Sequence, residues 1–481
     1  MKHKKLGIMI TLFGIIIIAV SMYLYPVNGL PGSISNPYLT TNGFQTESLL
    51  MTASNTQEFP KTFYVESNDF QLATQATDDI TTMQYQRGTH YQKSFLWKQE
   101  LTKTEYIQYA NQEEIVGIWD IPDIMYQKPD ISNLETLSGE YGTMSDAMST
   151  TNADEMIAQG YDGSDTIIVV IDSFPSQSKF YEYFPDSWSD RILNYPSNPE
   201  NGAQHGIMTA SISAYVAPEC ELYLLQASDD PISNFQKVLD LQTQYPDKQI
   251  VCTNSYVYIG TVYYHGDHPI NRKISEVADN DIIVLFGAGN WAHSGEHNQQ
   301  WTLNVGYDSR NYMFERDSEI GYPAVMKNVI SVAGCDAFGE NILSYSSMGR
   351  GVDNHNEPDV CAPTHHSFSY SPYNGLTLGT SASTPFMAGL CADILSGKNS
   401  ETDRLIGSIH DTSIDLGYNG FDEEFGYGCA DSIAVFNAYD GWIPSPEESP
   451  DIMMLGTGVA LVGVGLVVNR KNDIEKLIGG I

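Results

Sequence analysis

The chain has 481 residues and a formal net charge of −36. This acidic surplus makes a nucleic-acid partner unfavourable, because the phosphate backbone would repel it. The length allows one large α/β domain with accessory segments. The charge fits an extracellular or high-salt setting and does not identify a substrate.

Residues 1–28 are predicted to be a signal peptide or an N-terminal anchor. Three lysines lie within residues 1–5, and Leu6 to Tyr25 is nearly all apolar. In both cases the lysines stay in the cytoplasm and the following chain is exported. Residues 29–56 are rich in Ser, Thr and Asn and are predicted to form a linker.

Residues 57–127 are predicted to form a small α+β unit. Lys61 to Val65 has the pattern of a strand, and Thr102-Lys103-Thr104-Glu105 is a capping box that opens a helix ending near Ala110. Ile115 to Ile121 is a second predicted strand, which Pro122 ends. Residues 128–149 are predicted to be a connector that is prone to proteolytic processing.

The main domain is predicted to occupy residues 150–442. Asn152 is expected to cap a short helix that ends at Gly160. Beyond it, apolar runs without polar alternation indicate parallel strands that helices cover on both faces. These runs are Thr166–Ile171, Glu221–Leu225, Gln249–Cys252, Ile282–Phe286 and Val329–Ala333. Ligands bind beyond the carboxyl ends of such strands, so the functional side chains should lie there.

Polar residues follow two of these apolar runs. Asp172 ends one run, and Asn290 follows Gly287-Ala288-Gly289 at the end of another. His205 begins a helix of small residues, whereas the other histidines are expected in loops or on the surface. A carboxylate can hold a histidine in one tautomer and stabilise its cation, and an Asn amide can donate to an oxyanion.

Ser381 lies in the stretch Gly379-Thr380-Ser381-Ala382-Ser383-Thr384-Pro385-Phe386-Met387-Ala388-Gly389. It is expected in the first turn of a buried helix, close to unpaired backbone N–H groups and the positive end of the helix dipole. Pro385 should be tolerated there because the first turn has no intrahelical acceptors. The whole stretch resembles the G-T-S-x-x-x-P-x-x-A-G serine block of the subtilisin-like peptidases.

The resemblance extends over roughly Thr151 to Ala438, with Asp172, His205 and Ser381 in the family's order. It implies a subtilisin-like α/β fold, with a mostly parallel buried sheet, helices on both faces, and a small α+β propeptide-like unit in front. It also implies catalytic roles for these three residues, with Asn290 and the Ser381 N–H as the oxyanion hole. The substrate-binding residues that it implies are Ser255, Tyr256, Val257 and Gly289.

The sequence departs from the family pattern at several positions. Phe174 stands where the family usually has Gly, and Ile207 and Met208 replace the usual residues after His-Gly. Val257 ends the segment that should pair with substrate, which puts the approach of the substrate main chain in question. A loop insertion is predicted around Trp301 to Ile320.

The C-terminal residues are predicted to anchor the protein. Residues 443–451 form a stiff polar spacer, and 452–468 are uncharged and just long enough to span a membrane. Arg470 and Lys471 then place the tail, residues 469–481, in the cytoplasm. A buried core helix is the alternative for residues 452–468.

The cysteines are predicted to be small buried core residues, because most have apolar or small neighbours and none forms a C-x-x-C pair. No metal-binding residue is predicted, although calcium, which often stabilises the family, is possible as a structural ion. The six cysteines are Cys220, Cys252, Cys335, Cys361, Cys391 and Cys429.

Together these patterns predict a serine endopeptidase at the cell membrane, made as a proenzyme, with its catalytic domain outside. It would hydrolyse peptide bonds in protein or peptide substrates and would require no cofactor. A sedolisin-type acid peptidase is one alternative, but it would need Glu in place of His205 and Asp in place of Asn290. The other alternative is a catalytically impaired surface protein that uses the fold for binding. For residues 57–127 a permanent binding domain is the alternative to a propeptide.

Overall fold

The computed structural model describes residues 59–126 and 142–443, apart from 88–89, 260–261, 263–265, 291, 293–319 and 350–354. The predicted N-terminal signal or anchor, linker, spacer, 452–468 segment and tail lie outside this range. The same holds for most of the connector and for nearly all of the predicted insertion. Among the described residues, no helix is long and apolar enough to cross a membrane.

The strands are β1 Lys61–Ser67, β2 Thr81–Arg87, β3 His90–Leu101, β4 Ile115–Asp120, β5 Asp123–Met125, β6 Thr166–Asp172, β7 Ile192–Asn194, β8 Glu221–Gln226, β9 Gln249–Asn254, β10 Val257–Ile259, β11 Ile283–Gly287, β12 Ile330–Cys335 and β13 Val360–Pro363. The helices are Phe70–Ala76, Lys103–Ala110, Met144–Thr150, Ala153–Ala158, Gln177–Phe180, His205–Val216, Pro231–Gln244, Pro269–Ala278, Thr380–Leu395, Thr402–Thr412 and Ser432–Tyr439, with a 3₁₀ helix at Asp186–Arg191.

Seven parallel strands form the central sheet, in the order β13-β12-β11-β9-β6-β8-β7. All five strands predicted for this sheet are confirmed. In β6, Ile168 and Val170 join one apolar cluster, while Ile167, Val169 and Ile171 join another. Alternate side chains of a strand point to opposite faces, so both faces of this sheet are buried, as the unbroken apolar runs predicted.

Helices cover the two faces of the central sheet. His205–Val216 and Thr380–Leu395 contribute to the same cluster as Ile168 and Val170. Pro231–Gln244 and Pro269–Ala278 contribute to the cluster on the other face. Helix Thr380–Leu395 is buried along its whole length, which explains why its sequence has no polar face.

The N-terminal unit, residues 59–120, is an antiparallel sheet in the order β2-β3-β1-β4. Its core includes Phe63, Trp97 and Tyr106, with helices Phe70–Ala76 and Lys103–Ala110 on one face. The predicted capping box is present, because Thr102 and Glu105 bond reciprocally to each other's backbone N–H. Residues on the other face, Tyr64, Met83 and Leu96, pack into a core cluster of the large domain.

Two local predictions were wrong. Asn152 precedes helix Ala153–Ala158, but it has a φ of 55° and its side chain makes no capping bond. Pro385 lies inside helix Thr380–Leu395, beyond its first turn. Three of the other histidines, His268, His365 and His366, lie outside the helices and strands, in line with the expectation of loop positions, and are buried.

Candidate active site

Asp172 and His205 meet at the carboxyl end of the central sheet. Asp172 is the last residue of β6 and is fully buried, and His205 is the first residue of its helix. The Nδ1 atom of His205 lies 2.8 and 2.9 Å from the two carboxylate oxygens. The Thr209 hydroxyl, 3.0 Å away, and the Ser173 N–H, 2.7 Å away, also donate to this carboxylate. Acceptance by the carboxylate places the proton on Nδ1, which leaves Nε2 as the basic nitrogen.

Ser381 lies in the first turn of helix Thr380–Leu395, as predicted. Pro385 has no N–H with which to bond the Ser381 carbonyl four residues earlier. The Ser255 hydroxyl takes that place and donates to the Ser381 carbonyl over 3.0 Å. In return, the Ser381 hydroxyl donates to the Ser255 carbonyl over 3.4 Å. The proline therefore links the serine helix to the segment that follows β9.

The neighbouring strand ends bring Ser381 to the same edge as the Asp172–His205 pair. β9 pairs in parallel with β6, so Asn254 lies opposite Ile171, and Ser255 follows directly. Among the described residues, no hydrogen bond joins His205 Nε2 to Ser381 Oγ. In this conformation the Ser381 hydroxyl faces the Ser255 carbonyl instead.

Asn290 is fixed beside Ser381 by the residue before it. Its carboxamide oxygen accepts from the Thr380 N–H over 2.9 Å and from the Thr380 hydroxyl over 3.2 Å. The amide NH₂ lies on the other side of the planar group, and Asn290 lines the same small pocket as Ser381. The Asn290 side chain is therefore held at the pocket through its carboxamide oxygen.

The four residues predicted to bind substrate lie together. Ser255, Tyr256, Val257 and Gly289 line one pocket with Asn290 and Ser381. Gly289 has a φ of 110°, a conformation that requires glycine. Gly287 lines the same pocket, and a side chain added there would meet the Thr380 and Thr384 hydroxyls.

Strand β5, which follows the N-terminal unit, occupies this pocket's edge. It pairs antiparallel with β10, so that Met125 lies opposite Val257 and Asp123 opposite Ile259. Met125 also lines the pocket, and the ring of Tyr126 lies 4.8 Å from the ring of His205. Val257 therefore does not prevent main-chain pairing in the cleft, which answers the question that its side chain raised.

The sequence model of the subtilase family matches residues 93–428. The chain belongs to the subtilase family. This match includes every residue predicted for the site, and it agrees with the parallel sheet that carries them.

Individual subtilases are similar to this one at modest identity. The minor extracellular protease Epr of Bacillus subtilis is 23% identical over 66% of this chain and 47% of its own length. Subtilisin DY of Bacillus licheniformis is 25% identical over 51% of this chain and 81% of its own length. The solved structure of the prenylagaramide maturation protease PagA aligns with a TM-score of 0.44 and 15% identity, over 60% of this chain and 99% of that one. The chain thus spans less than half the length of Epr.

Phe174, one of the departures of this subtilase from the family pattern, lies in the buried core. Phe174 is fully buried and contacts the rings of Phe180 and Tyr195. A side chain at Gly206 would meet Phe174 and the Ser173 carbonyl, so the glycine after His205 makes room for this ring. The substitution fills the core without displacing the Asp172 carboxylate from His205.

All six cysteines are buried with free thiols, in agreement with the prediction. Three of them form a group that sequence spacing did not reveal, since the sulfur atoms of Cys335, Cys361 and Cys429 lie within 4.8 Å of one another. They come from β12, β13 and a segment bridged to β13. Only strand pairing joins residues so far apart in sequence, so no local motif marks the group.

Proposed function

We propose that this subtilase is a serine endopeptidase with Asp172, His205 and Ser381 as its catalytic residues. The hydrogen-bonded pair of His205 and a fully buried Asp172, at the edge where Ser381 begins its helix, carries the proposal. Buried carboxylates are costly unless they are paired or hydrogen-bonded. Here the carboxylate orients a histidine whose other nitrogen remains basic, which is the arrangement that activates a serine.

The reaction would proceed by acyl transfer. His205 Nε2 takes the Ser381 proton as Oγ attacks the substrate carbonyl, and it then returns the proton to the leaving amine. Asp172 stabilises the imidazolium that forms between these steps. The Asn290 amide and the Ser381 N–H donate to the oxyanion, and water then hydrolyses the acyl-enzyme.

We further propose that the protein is made as a zymogen. Residues 123–125 pair with β10, beside the serine, in the manner of a peptide added to a sheet edge. The Tyr126 ring covers the His205 ring and limits access to it. Residues 59–126 would therefore block the cleft until the chain is cut between about Met125 and Ser149.

Export and membrane anchoring form part of the same proposal. The sequence of residues 1–28 and the uncharged segment 452–468, followed by Arg470 and Lys471, support a catalytic domain outside the cell with both flanks on the cytoplasmic side. The name of Epr describes that relative as extracellular. A tag at Ile481 should resist protease added to intact cells, while the central domain is cut. A tag that is cleaved from outside would contradict this topology.

The catalytic proposal is tested with Ser381→Ala and a matched control, Ser383→Ala. Both serines are buried in one helix, but the Ser383 hydroxyl has no hydrogen-bond partner among the described residues. Ser381→Ala should lose fluorophosphonate labelling and self-processing, and its kcat on a peptide should fall about 10⁶-fold. Ser383→Ala should keep all three.

Two results would contradict parts of the proposal. Normal processing of Ser381→Ala in the absence of other proteases would exclude self-cleavage but not peptidase activity. A correctly folded wild-type protein that is neither labelled nor active on peptides would favour the alternative, a catalytically impaired binding protein. Calcium as a structural ion remains a prediction from the family resemblance.

A further inference from the structure

Three cysteine side chains converge where β13 meets its neighbours in the large domain. Cys335 ends β12, Cys361 lies in β13, and Cys429 belongs to a segment that bridges to β13 through Cys361. Their sulfur atoms all lie within 4.8 Å of one another, and those of Cys335 and Cys429 are 3.9 Å apart. Backbone pairing on both sides of β13 therefore fixes the three sulfurs relative to one another.

This thiol cluster is closed to solvent. Cys335, Cys361 and Cys429 are 0%, 0% and 1% exposed, and they lie in the apolar cluster that includes Phe425. Gly339 packs directly on Cys429, because a Cβ atom added there would lie 3.1 Å from the sulfur. The sulfurs thus face one another in a low-dielectric setting, where the attraction between a thiolate and a cation is strong.

The spacing of the sulfurs matches that around a shared metal ion. A disulfide needs sulfurs about 2.0 Å apart, far less than the 3.9 Å between Cys335 and Cys429. An ion with three coplanar bonds of about 2.3 Å to sulfur holds each pair of sulfurs about 4.0 Å apart. Small rotations of the side chains would therefore close the cluster around an ion.

The number of ligands indicates which ion the cluster suits. Among the described residues, no fourth His, Cys, Asp or Glu has a ligand atom within 4.8 Å of all three sulfurs. Structural zinc sites almost always have four protein ligands, and zinc sites with three keep an open position for water or substrate. Three soft sulfurs in a site closed to water instead favour Cu(I), an ion that thiolate ligands select.

We propose that Cys335, Cys361 and Cys429 bind one Cu(I) ion in a trigonal thiolate site. Each thiol gives its proton to solvent, so one Cu⁺ replaces three protons and binding weakens as the pH falls. The copper keeps its oxidation state, so no oxidant or reductant takes part. The remaining negative charge is shared by three polarisable sulfurs. Because the cluster is buried, the ion would enter while the chain folds.

The ion would fasten the last part of the large domain to the sheet. Cys335 and Cys429 are 94 residues apart in the chain, so a shared ion closes a long loop and constrains the unfolded state. The cluster also lies behind the serine loop, because Thr364 donates its N–H to the Cys335 carbonyl and its hydroxyl to the Gly379 carbonyl, each over 2.9 Å. The proposed catalysis takes no group from this cluster, so the expected effect is on stability.

The test uses the full chain, produced in cells supplied with either copper or zinc and purified without oxygen in a non-thiol reductant. The wild type from copper-supplied cells should carry about one copper per chain, with three sulfur neighbours at about 2.3 Å in X-ray absorption. Its Tm should exceed that of the copper-free protein by roughly 5–10 °C, since an ion that binds only the folded state stabilises it.

Two variants locate the copper. Cys361→Ala should lose most of the copper and the copper-dependent rise in Tm. Cys391→Ala is the matched control and should keep both, because Cys391 is equally buried but lies outside the thiol cluster. X-ray absorption of the wild type counts the sulfur ligands even if Cys361→Ala fails to fold.

Three results would overturn the proposal. Zinc retained in place of copper, with a fourth ligand, would show that this is not a trigonal Cu(I) site. A wild type that retains neither metal, with all six thiols reactive once the chain is unfolded, would show that the sulfurs only pack together. Two fewer reactive thiols would show a disulfide within the cluster. None of these results bears on the proposed peptidase, which fluorophosphonate labelling tests separately.

Discussion

The N-terminal unit and the large domain are held together by different kinds of contact. The large domain buries apolar residues on both faces of its sheet. The N-terminal unit has a small core of its own and adds charged contacts where it meets the large domain. Glu66 is fully buried there, accepts from Arg272 over 2.7 Å and from Trp119 over 3.1 Å, and is bonded to Ser94.

The same interface has a second charged group. Asp230 caps helix Pro231–Gln244, lies 2.7 Å from Lys98, and is bonded to the Tyr64 hydroxyl. Trp119 packs edge-on against His268 at a centroid distance of 5.4 Å. Hydrogen bonds to charged groups are directional and depend on both partners, whereas apolar cores tolerate small shifts. If the N-terminal unit is a propeptide, as proposed, such directional contacts would fix the position in which it docks before its release.

The largest expected effect is that Glu66→Ala loosens the N-terminal unit without unfolding the large domain. Removing one partner leaves the charge of Arg272 at the interface uncompensated, which should weaken docking by about 3–5 kcal/mol. After processing, less of the N-terminal fragment should co-elute with the large domain in size-exclusion chromatography. The exposed pair Lys179–Glu182 supplies the control, and Glu182→Ala should have no such effect. If the Glu66→Ala fragment co-elutes with the large domain to the same extent as the wild-type fragment, the charged contacts of Glu66 do not hold the N-terminal unit in place.

The next prediction separates catalysis from docking in the shared cleft. Asn290 is bonded to Thr380 of the large domain, so Asn290→Ala should not release the N-terminal unit. It should lower kcat on a peptide by about 10²- to 10³-fold, roughly 2.7–4 kcal/mol, with a smaller change in KM, because its amide meets charge only in the transition state. Asn290→Asp should be at least as poor, since a carboxylate repels an oxyanion. A folded Asn290→Ala protein with near wild-type kcat would show that another group stabilises the oxyanion.

The smallest expected effect concerns the apolar core itself. Asp393 is fully buried in helix Thr380–Leu395, and neither carboxylate oxygen has a hydrogen-bond partner among the described residues. Burial, and then the charge of Asp162, raises the pKa of Asp393 well above its ordinary value. As pH rises above about 4 the unfolded chain ionises this group before the folded one, so stability should fall with rising pH.

Asp393→Asn should therefore be more stable than the wild type near neutral pH, and the difference should disappear near pH 4. Urea unfolding at both pH values measures it, with the exposed Asp154→Asn as the control. A destabilised Asp393→Asn at neutral pH would mean that the carboxylate is ionised and paired in the core.

The sequence by itself determined those features of this protein that depend on residues close together in the chain. Unbroken apolar runs predicted strands buried on both faces, and small residues around Ser381 predicted a helix without a polar side. Asp172 and Asn290 could be placed at one edge because the carboxyl ends of parallel strands share it. The capping box at Thr102 was likewise readable, since its partners are three residues apart.

The tertiary structure alone decided contacts between distant segments. The Ser255 hydroxyl replaces the bond that Pro385 cannot make, and β5 leads into Tyr126, whose ring contacts the His205 ring. Gly287 packs against Thr380 and Thr384 of a distant helix, and three cysteines converge from separate segments. Each of these depends on strand register and helix packing, which bring together residues whose separation in sequence carries no periodic signal.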